Sequence, residues 1–286
     1  MKVGYVSCVV LPEPDIDEEP LVGALRAAGH DARVVAWDDP AVDWAGFDVA
    51  VVRATWNYID DLGAFEAWID RVDGQTKLLN PAETMRWNLH KGYLNELGEG
   101  GVPVVPTAFF GRGESVDVGG LCGERGWGRI VIKPAVGAGS FGTRAFDLDA
   151  DEGRAAQMYF DEMVGQRDMM VQVFIESVNT VGETALIVIG GELTHAIEKR
   201  PRFDDQHESV LLREVITDEM REIADRVMRV AGKEALYGRV DVMPDADGAL
   251  VLSELELLEP SLFFPYFPSA MDVFVRGLER CFSISE

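Results

Sequence analysis

Carboxylates at alternate positions of an otherwise apolar stretch constrain this chain more than any other feature of its sequence. Residues 236–260, "LYGRVDVMPDADGALVLSELELLEP", contain Asp241, Glu254 and Glu256 among Val, Leu and Met. The central "PDADG" is typical of a turn, so the flanking runs predict an antiparallel hairpin. Because side chains alternate along a strand, Arg239 shares a face of the first strand with Asp241, and the two glutamates share a face of the second.

The predicted hairpin gathers three carboxylates and an arginine in a small area, where like charges repel unless a cation joins them. Carboxylate oxygens are the ligands that Mg²⁺ and Mn²⁺ prefer, so the spacing favours a metal site. The alternative is an exposed strand face whose charges are solvated. The stretch also matches the later part of an EF-hand loop, but Met243 stands at the opening ligand position, which excludes that motif.

Length and charge limit the class of protein. The 286 residues suffice for one large domain or two to three small ones, and the formal charge of −24 argues against a nucleic-acid partner. No apolar run reaches the ~18 residues of a membrane span, and the N-terminus lacks the features of a signal peptide. Three separated cysteines predict reduced thiols. We therefore expect a cytoplasmic protein without a membrane partner, and the sequence leaves oligomer formation open.

The order of predicted elements divides the chain into three parts. Residues 1–83 alternate strands and helices, which predicts a Rossmann-like parallel sheet. Residues 84–174 begin with a helix carrying "WNLHKGYLNELG" and continue as strand, glycine loop, strand, which predicts an antiparallel hairpin. Residues 175–286 contain further strands, a helix capped by Thr217 and a terminal helix. The predicted fold is therefore α/β in its N-terminal domain, followed by two α+β subdomains with antiparallel sheets.

The loop "GAGSFG" at residues 137–142 formally matches a dinucleotide-binding fingerprint. That motif requires a helix after the glycines, whereas here a strand-like run follows, which excludes it. The loop is instead typical of a flexible hairpin tip, where glycine amides and the Ser140 hydroxyl can approach phosphate. An ordinary mobile loop is the alternative, and Lys133 on the entering strand favours the phosphate interpretation.

The order of these motifs resembles the ATP-grasp superfamily over essentially the whole chain. "VIKPAVGAGSFG" resembles the lysine and lid loop of that family, "VQVFIE" its adenine-binding hinge, and "GRVDV" with "LSELELLEP" its metal-binding strands. The resemblance implies three Mg²⁺ ligands, Asp241, Glu254 and Glu256, and a transition-state cation, Arg239. It also implies an ATP site formed by Lys91, Lys133, Gly137, Gly139, Ser140, Gly142, Gln172, Val173, Phe174, Glu183 and Lys199.

The chain departs from many family members at two places. Glu256 stands where they carry asparagine, which preserves an oxygen ligand, and a glycine-aspartate-phenylalanine-arginine segment is missing after Lys199. Arg202 and Arg213 are the candidates to replace that segment. "VRATWNY", "NPAETMRWNLHKGYL" and "ELELLEPSLFF" resemble the subgroup of cyclo-ligases that form D-cycloserine from O-ureidoserine, and more distantly glutathione-synthetase-like ligases.

The resemblance implies an ATP-dependent carboxylate–amine ligase with small-molecule carboxylate and amine substrates. Such an enzyme forms an acylphosphate, releases ADP, and lets an amine nitrogen displace phosphate. Ring closure within one amino-acid derivative is one alternative, and a nucleotide-binding module without catalysis is another.

A substrate site is predicted after the buried run "DVAVV", because open α/β sheets bind ligands at the carboxyl ends of their strands. Arg53, Thr55 and Trp56 follow this run directly, and an arginine suits the carboxylate of an amino-acid-like substrate. The alternative is that Arg53 pairs with a nearby acid such as Asp48 or Asp60.

Overall fold

The computed structural model describes residues 1–139, 141–200 and 209–283. Within them the chain forms three sheets and eight α-helices. Four short 3₁₀ helices also occur there, at Trp44–Gly46, Trp56–Asp60, Glu176–Asn179 and Phe264–Tyr266. In this part of the chain no helix has the length and apolar character that crossing a membrane requires.

The first sheet is parallel and confirms the predicted Rossmann-like start. Its strand order is β2–β1–β3–β4, and the chain passes through a helix between β1 and β2 and again between β3 and β4. All four residues of β3 are buried, as expected for a parallel strand covered on both faces. The elements are β1 (Lys2–Ser7), α1 (Glu18–Ala27), β2 (Asp31–Ala36), β3 (Val49–Val52), α2 (Leu62–Asp73) and β4 (Lys77–Leu79).

The helix predicted around "WNLHKGYLNELG" is in fact two helices, α3 (Ala82–Leu89) and α4 (Tyr93–Glu99). The helical pattern breaks at Lys91, whose backbone N–H donates to the carbonyl of Ala135 at 2.8 Å instead of to the preceding turn. The tertiary contact overrides a sequence that is otherwise compatible with one helix. As a result, Lys91 stands at a corner between two helices.

The second sheet is antiparallel, with the order β5–β8–β6–β7. The predicted hairpin around the glycine loop is confirmed, since β6 and β7 pair directly. The elements are β5 (Thr107–Phe110), α5 (Val118–Arg125), β6 (Arg129–Pro134), β7 (Arg144–Asp147), α6 (Gly153–Val164) and β8 (Met169–Val173).

The third sheet is also antiparallel, with the order β11–β10–β9–β12–β13. Thr217 caps α7 as predicted, accepting a hydrogen bond from the backbone N–H of Met220. The elements are β9 (Glu183–Ile189), β10 (Glu192–Arg200), β11 (Ser209–Leu212), α7 (Asp218–Ala231), β12 (Tyr237–Pro244), β13 (Leu250–Glu256) and α8 (Ala270–Ser283).

One hydrophobic core joins the first and third sheets. Tyr5 and Leu21 from the N-terminal part pack in the same buried cluster as Ile187 of β9 and Phe274 of α8. This shared core fixes the N-terminal sheet against the sheet that carries the acidic hairpin. The division of the chain at residues 83 and 174 stays a prediction.

Candidate active site

The hairpin of β12 and β13 pairs its charged residues in register, as the alternation predicts. Arg239 lies opposite Glu256, and Asp241 lies opposite Glu254. The Arg239 guanidinium donates from Nε to Asp241 Oδ1 at 2.9 Å and from Nη2 to Asp241 Oδ2 at 2.9 Å, and Nη2 also donates to Glu256 Oε1. One arginine therefore links carboxylates of both strands.

Three lysines from other elements converge on the same carboxylates. Lys199 of β10 places Nζ 2.7 Å from Asp241 Oδ2 and 2.7 Å from Glu183 Oε2. Lys91 places Nζ 3.0 Å from Glu254 Oε1, and Lys133 of β6 lies 3.7 Å from Glu254 Oε2. The structure thus brings together lysines that are far apart in the sequence.

Burial and neighbouring charges set the protonation of the three carboxylates. Burial raises the pKa of Asp241, but Arg239 and Lys199 outweigh it and hold the pKa below the ordinary value. The pKa of Glu254 is lowered in the same way, because Lys91 and Lys133 outweigh its burial.

Glu256 behaves differently from its two neighbours. Burial raises the pKa of Glu256 to about 8, and repulsion from Glu254 and Asp241 adds to this effect against the attraction of Arg239. A cation bound beside Glu256 would favour its charged form.

A divalent cation fits the chemistry of this donor set, although the carboxylates are now held by other groups. In residues 1–139, 141–200 and 209–283, no three carboxylate, imidazole or thiolate groups adopt an arrangement that could hold a metal ion. Glu254 contacts Lys91, while Asp241 and Glu256 contact Arg239. Three carboxylates on paired strands are nevertheless the hard oxygen ligands that Mg²⁺ takes. A bound Mg²⁺ would share these carboxylate oxygens with the lysines and Arg239 or displace those side chains.

The glycine loop between β6 and β7 approaches this cluster. Lys91 Nζ donates to the carbonyl of Gly137 at 2.9 Å, and the Tyr159 hydroxyl donates to the carbonyl of Gly142 at 2.7 Å. Gly142 has a φ of +62°, and a Cβ there would lie 3.0 Å from a ring carbon of Pro134. Glycine is therefore required at residue 142. Gly139 also has a positive φ, and Ser140 lies outside the described residues.

The predicted adenine hinge lies at the end of β8, where Gln172 is buried. The N–H of Val173 donates to the carbonyl of Pro106 at 3.1 Å, and the N–H of Phe174 donates to that of Arg129 at 2.9 Å. Both amides are thus engaged within the protein. A nucleobase at this hinge would meet carbonyl oxygens or the amides that follow Phe174.

Glu183, the predicted ribose contact, begins β9 beside the cluster. Its Oε1 accepts from the Ser253 hydroxyl, and its Oε2 pairs with Lys199. A ribose hydroxyl would therefore have to compete with two partners for this carboxylate.

Arg53 is only 1% exposed, and its ion-pair partner is Asp17 rather than Asp48 or Asp60. The distance from Arg53 Nη2 to Asp17 Oδ2 is 3.6 Å, and Nη2 donates to the carbonyl of Pro260 at 2.5 Å. Arg53 Nε and Nη1 have no hydrogen-bond partner among the described residues. Contact with a substrate would require a ligand that reaches this buried guanidinium.

Asp17 is fully buried and binds the segment that follows the acidic hairpin. Its carboxylate accepts the backbone N–H groups of Leu262, Phe263 and Phe264 at 2.5, 3.1 and 2.8 Å. No sequence pattern predicted this role, because Asp17 lies in an acidic run that is typical of a solvated surface.

The remaining predicted substrate residues lie in different surroundings. Thr55 is fully buried, and the Trp56 indole donates to the carbonyl of Glu259 at 3.1 Å. Arg213 follows β11 and is half-buried, and its N–H donates to the carbonyl of Ala196 at 2.9 Å. Arg202 lies outside the described residues.

Glu259 is 8% exposed and was not among the predicted site residues. Burial raises the pKa of Glu259 to about 7, while Tyr58 and Lys91 act in the opposite direction. The one charged residue within the apolar stretch "LLEPSLFF" is the sequence feature that could have indicated Glu259 as a site residue.

Asn88 was also missed, and it supports the hairpin from α3. Its side-chain amide donates to the carbonyl of Leu255 at 2.8 Å and accepts from the N–H of Leu257 at 2.6 Å. These two bonds satisfy the free edge of β13 where it carries its charged residues.

Comparisons with known proteins agree with this architecture. A family model described as the N-terminal domain of D-cycloserine synthetase DcsG matches residues 3–80. The chain is 31% identical over 265 residues to the cycloserine biosynthesis protein DcsG of Streptomyces lavendulae, covering 87% of this chain and 88% of that protein.

Solved structures extend the likeness over the whole fold. The crystal structure of D-cycloserine synthetase DcsG has a TM-score of 0.90 and 27% identity, with coverage of 99% of this chain and 100% of that one. The ATP-grasp ligase PsnB, complexed with a minimal precursor, Mg and ADP, has a TM-score of 0.64 and 18% identity over 96% of each chain. The second comparison bears on the fold alone.

Proposed function

Since the chain belongs to the family of the D-cycloserine synthetase DcsG, we propose that it closes a ring on a small amino-acid derivative at the expense of ATP. It is an ATP-grasp ligase, an enzyme that forms a C–N bond between a carboxylate and an amine nitrogen. Ring closure is the finer assignment, and the DcsG likeness favours it over the joining of two separate molecules.

The observation that carries the proposal is the convergence of four cations on three carboxylates at one place. Lys91, Lys133, Lys199 and Arg239 reach this cluster from separate elements. A chain with a formal charge of −24 concentrates buried and half-buried cations there, which suits a ligand as negatively charged as a triphosphate. A solvated strand face would need none of them.

In this proposal the lysines bind phosphate oxygens and Arg239 stabilises the charge that develops on the transferring phosphoryl group. Positioning and electrostatic stabilisation carry phosphoryl transfer, so no side-chain nucleophile is required. Asp241, Glu254 and Glu256 would hold Mg²⁺, which when bound neutralises phosphate charge and orients the triphosphate.

The substrate carboxylate would attack the γ-phosphate of ATP, which forms an acylphosphate and releases ADP. A nitrogen of the same molecule would then attack the acyl carbon and displace phosphate. The Gly137–Gly142 loop, anchored by the Lys91 contact to Gly137, would cover the phosphates during the first step.

Steady-state ADP release with O-ureidoserine tests the proposal, with mass spectrometry of the product. We expect ADP release that depends on both Mg²⁺ and the substrate, together with a ring-closed product. Its mass should be that of O-ureidoserine less one water, or that of cycloserine if hydrolysis then removes the carbamoyl group as ammonia and carbon dioxide. Each enantiomer should be tested separately, with serine as the control that lacks the ring-closing nitrogen.

Two results would contradict the proposal. Amide formation that requires a second amine would assign intermolecular ligation instead of ring closure. Tight ADP binding without turnover of any amino-acid derivative would favour a nucleotide-binding module without catalysis.

A further inference from the structure

The two carboxylate oxygens of Glu254 each face an ammonium group of the protein. Lys91 Nζ lies 3.0 Å from Oε1, and Lys133 Nζ lies 3.7 Å from Oε2. The two lysines come from separate elements, since Lys91 stands at the corner between α3 and α4 and Lys133 lies on β6. The chain therefore supplies its own cations to a carboxylate that is also a predicted metal ligand.

The position of Lys91 is fixed at both ends of the residue. Its backbone N–H donates to the carbonyl of Ala135 at 2.8 Å, and its Nζ donates to the carbonyl of Gly137 at 2.9 Å. Lys91 is only 7% exposed. Its ammonium group is thus a fixed neighbour of Glu254 and not a mobile side chain of the surface.

A metal ion bound to Glu254 would meet this ammonium group at close range. Mg²⁺ binds carboxylate oxygens at about 2.1 Å, so an ion on Oε1 would lie no more than about 5 Å from Lys91 Nζ. Two cations at that distance in a buried site repel each other strongly, because little solvent screens them. Each of the two therefore lowers the affinity of Glu254 for the other.

We propose that Lys91 keeps a divalent cation from Glu254 until a polyphosphate becomes the partner of its ammonium group. This inference rests on the proposed function, which places Mg²⁺ at these carboxylates. Phosphate oxygens then replace Glu254 beside Lys91, and the released carboxylate takes the metal. The chain thus binds the metal weakly alone and more tightly with a nucleotide, and by linkage the nucleotide binds more tightly with the metal.

Binding of Mn²⁺ alone tests the inference, because no nucleotide is then present to chelate the metal in solution. Electron paramagnetic resonance counts the free ion during titration of the full chain at about 0.15 M salt, which screens the surface charges. Lys91→Met should bind one Mn²⁺ roughly tenfold more tightly than the wild type, since the competing charge is gone.

Lys233→Met is the matched control, because it removes the same charge from a lysine that pairs with the exposed Glu83. Its affinity for Mn²⁺ should stay within about twofold of the wild type. Adding Glu254→Gln to Lys91→Met should abolish the gain, which assigns it to this carboxylate.

ADP affinity should change in the opposite direction. In buffer that contains a metal chelator, Lys91→Met should bind ADP more weakly than the wild type, because the phosphates have lost a cation. A purely structural role of Lys91 would weaken the binding of both ligands. If Lys91→Met is too unstable for titration, Mn²⁺ should raise its thermal unfolding midpoint more than that of the wild type.

The inference is wrong if Lys91→Met binds Mn²⁺ within about twofold of the wild type, or if Mn²⁺ shifts the two unfolding midpoints equally. It is also wrong if the gain persists in the double variant with Glu254→Gln. These results leave the ligase function standing, because ADP release with O-ureidoserine measures it separately. A wild type without turnover contradicts that function instead, and the Mn²⁺ titrations still decide whether Lys91 competes with the metal.

Discussion

The ammonium group of Lys91 lies 3.0 Å from Glu254 Oε1 and donates to the carbonyl of Gly137 at 2.9 Å. One side chain thus links the acidic hairpin to the glycine loop. It can do so because the helix breaks at Lys91, where the backbone N–H is bound by Ala135. The same lysine is therefore placed to exchange its carboxylate partner for a phosphate.

Lys91→Met should weaken ADP binding roughly tenfold to a hundredfold, since one charge-assisted contact contributes ~1.5–3 kcal/mol. Calorimetric titration with ADP and Mg²⁺ measures this change. Lys233→Met is the matched control, because Lys233 pairs with the exposed Glu83 on the surface. Equal affinity of the two variants would show that Lys91 serves only the fold.

Replacement of Glu254 or Glu256 by glutamine should lower turnover by roughly a hundredfold or more, because a metal-held phosphate contributes several kcal/mol to transition-state stabilisation. Glutamine keeps the side-chain shape, so the hairpin should remain folded. ADP release across a MgCl₂ titration is the measurement, and the exposed Glu222→Gln on α7 is the control. Near-wild-type turnover of both variants would rule out these metal ligands.

Removal of one partner of the buried Arg53–Asp17 pair should destabilise the protein strongly. Arg53→Ala leaves the Asp17 carboxylate without its cation, and such a loss costs about 3–5 kcal/mol. The free energy of unfolding in urea measures this change. The double variant with Asp17→Asn should lose less than the sum of the single losses, because neither charge is then left alone.

The same variant tests the predicted substrate contact of Arg53. If its buried guanidinium also binds the substrate carboxylate, the folded Arg53→Ala enzyme should show kcat/KM lowered by roughly tenfold or more. ADP affinity should be unchanged. A kcat/KM equal to that of the wild type would assign Arg53 to the fold alone.

His195 should make the protein less stable in acid. Burial lowers the pKa of this imidazole from 6.5 to about 4, against the hydrogen bond to the carbonyl of Leu262. Between these two pH values the unfolded chain binds a proton that the folded chain does not, so stability falls as the pH falls. The loss reaches ~3 kcal/mol at the acidic end of this window.

Urea unfolding of the wild type and His195→Gln across pH 6.5 to 4 measures this effect. The variant should lose less stability over this range, because glutamine does not titrate. His90→Gln, which changes a half-exposed imidazole, is the control. Parallel curves for the wild type and His195→Gln would contradict the assignment.

The sequence by itself determined the two hairpins of this protein, the charged hairpin and the hairpin around the glycine loop. Alternation along "GRVDV" and "LSELEL" placed Arg239, Asp241, Glu254 and Glu256 on one hairpin, and the observed register pairs them. The glycine loop predicted a hairpin because the run after it has the pattern of a strand, and β6 and β7 do pair. These features are decided by backbone geometry over a few residues, so the sequence expresses them directly.

Only the tertiary structure decided which distant groups meet. Asp17 pairs with Arg53, and Lys91 reaches Glu254 from a corner that the helical pattern does not show. Glu259 stands in an apolar run, and the loop after β3 folds against it so that the Trp56 indole donates to its carbonyl. Each contact joins residues far apart in the chain, and its formation depends on how buried surfaces pack. That packing depends on the whole fold, so it cannot be predicted from a local pattern of residues.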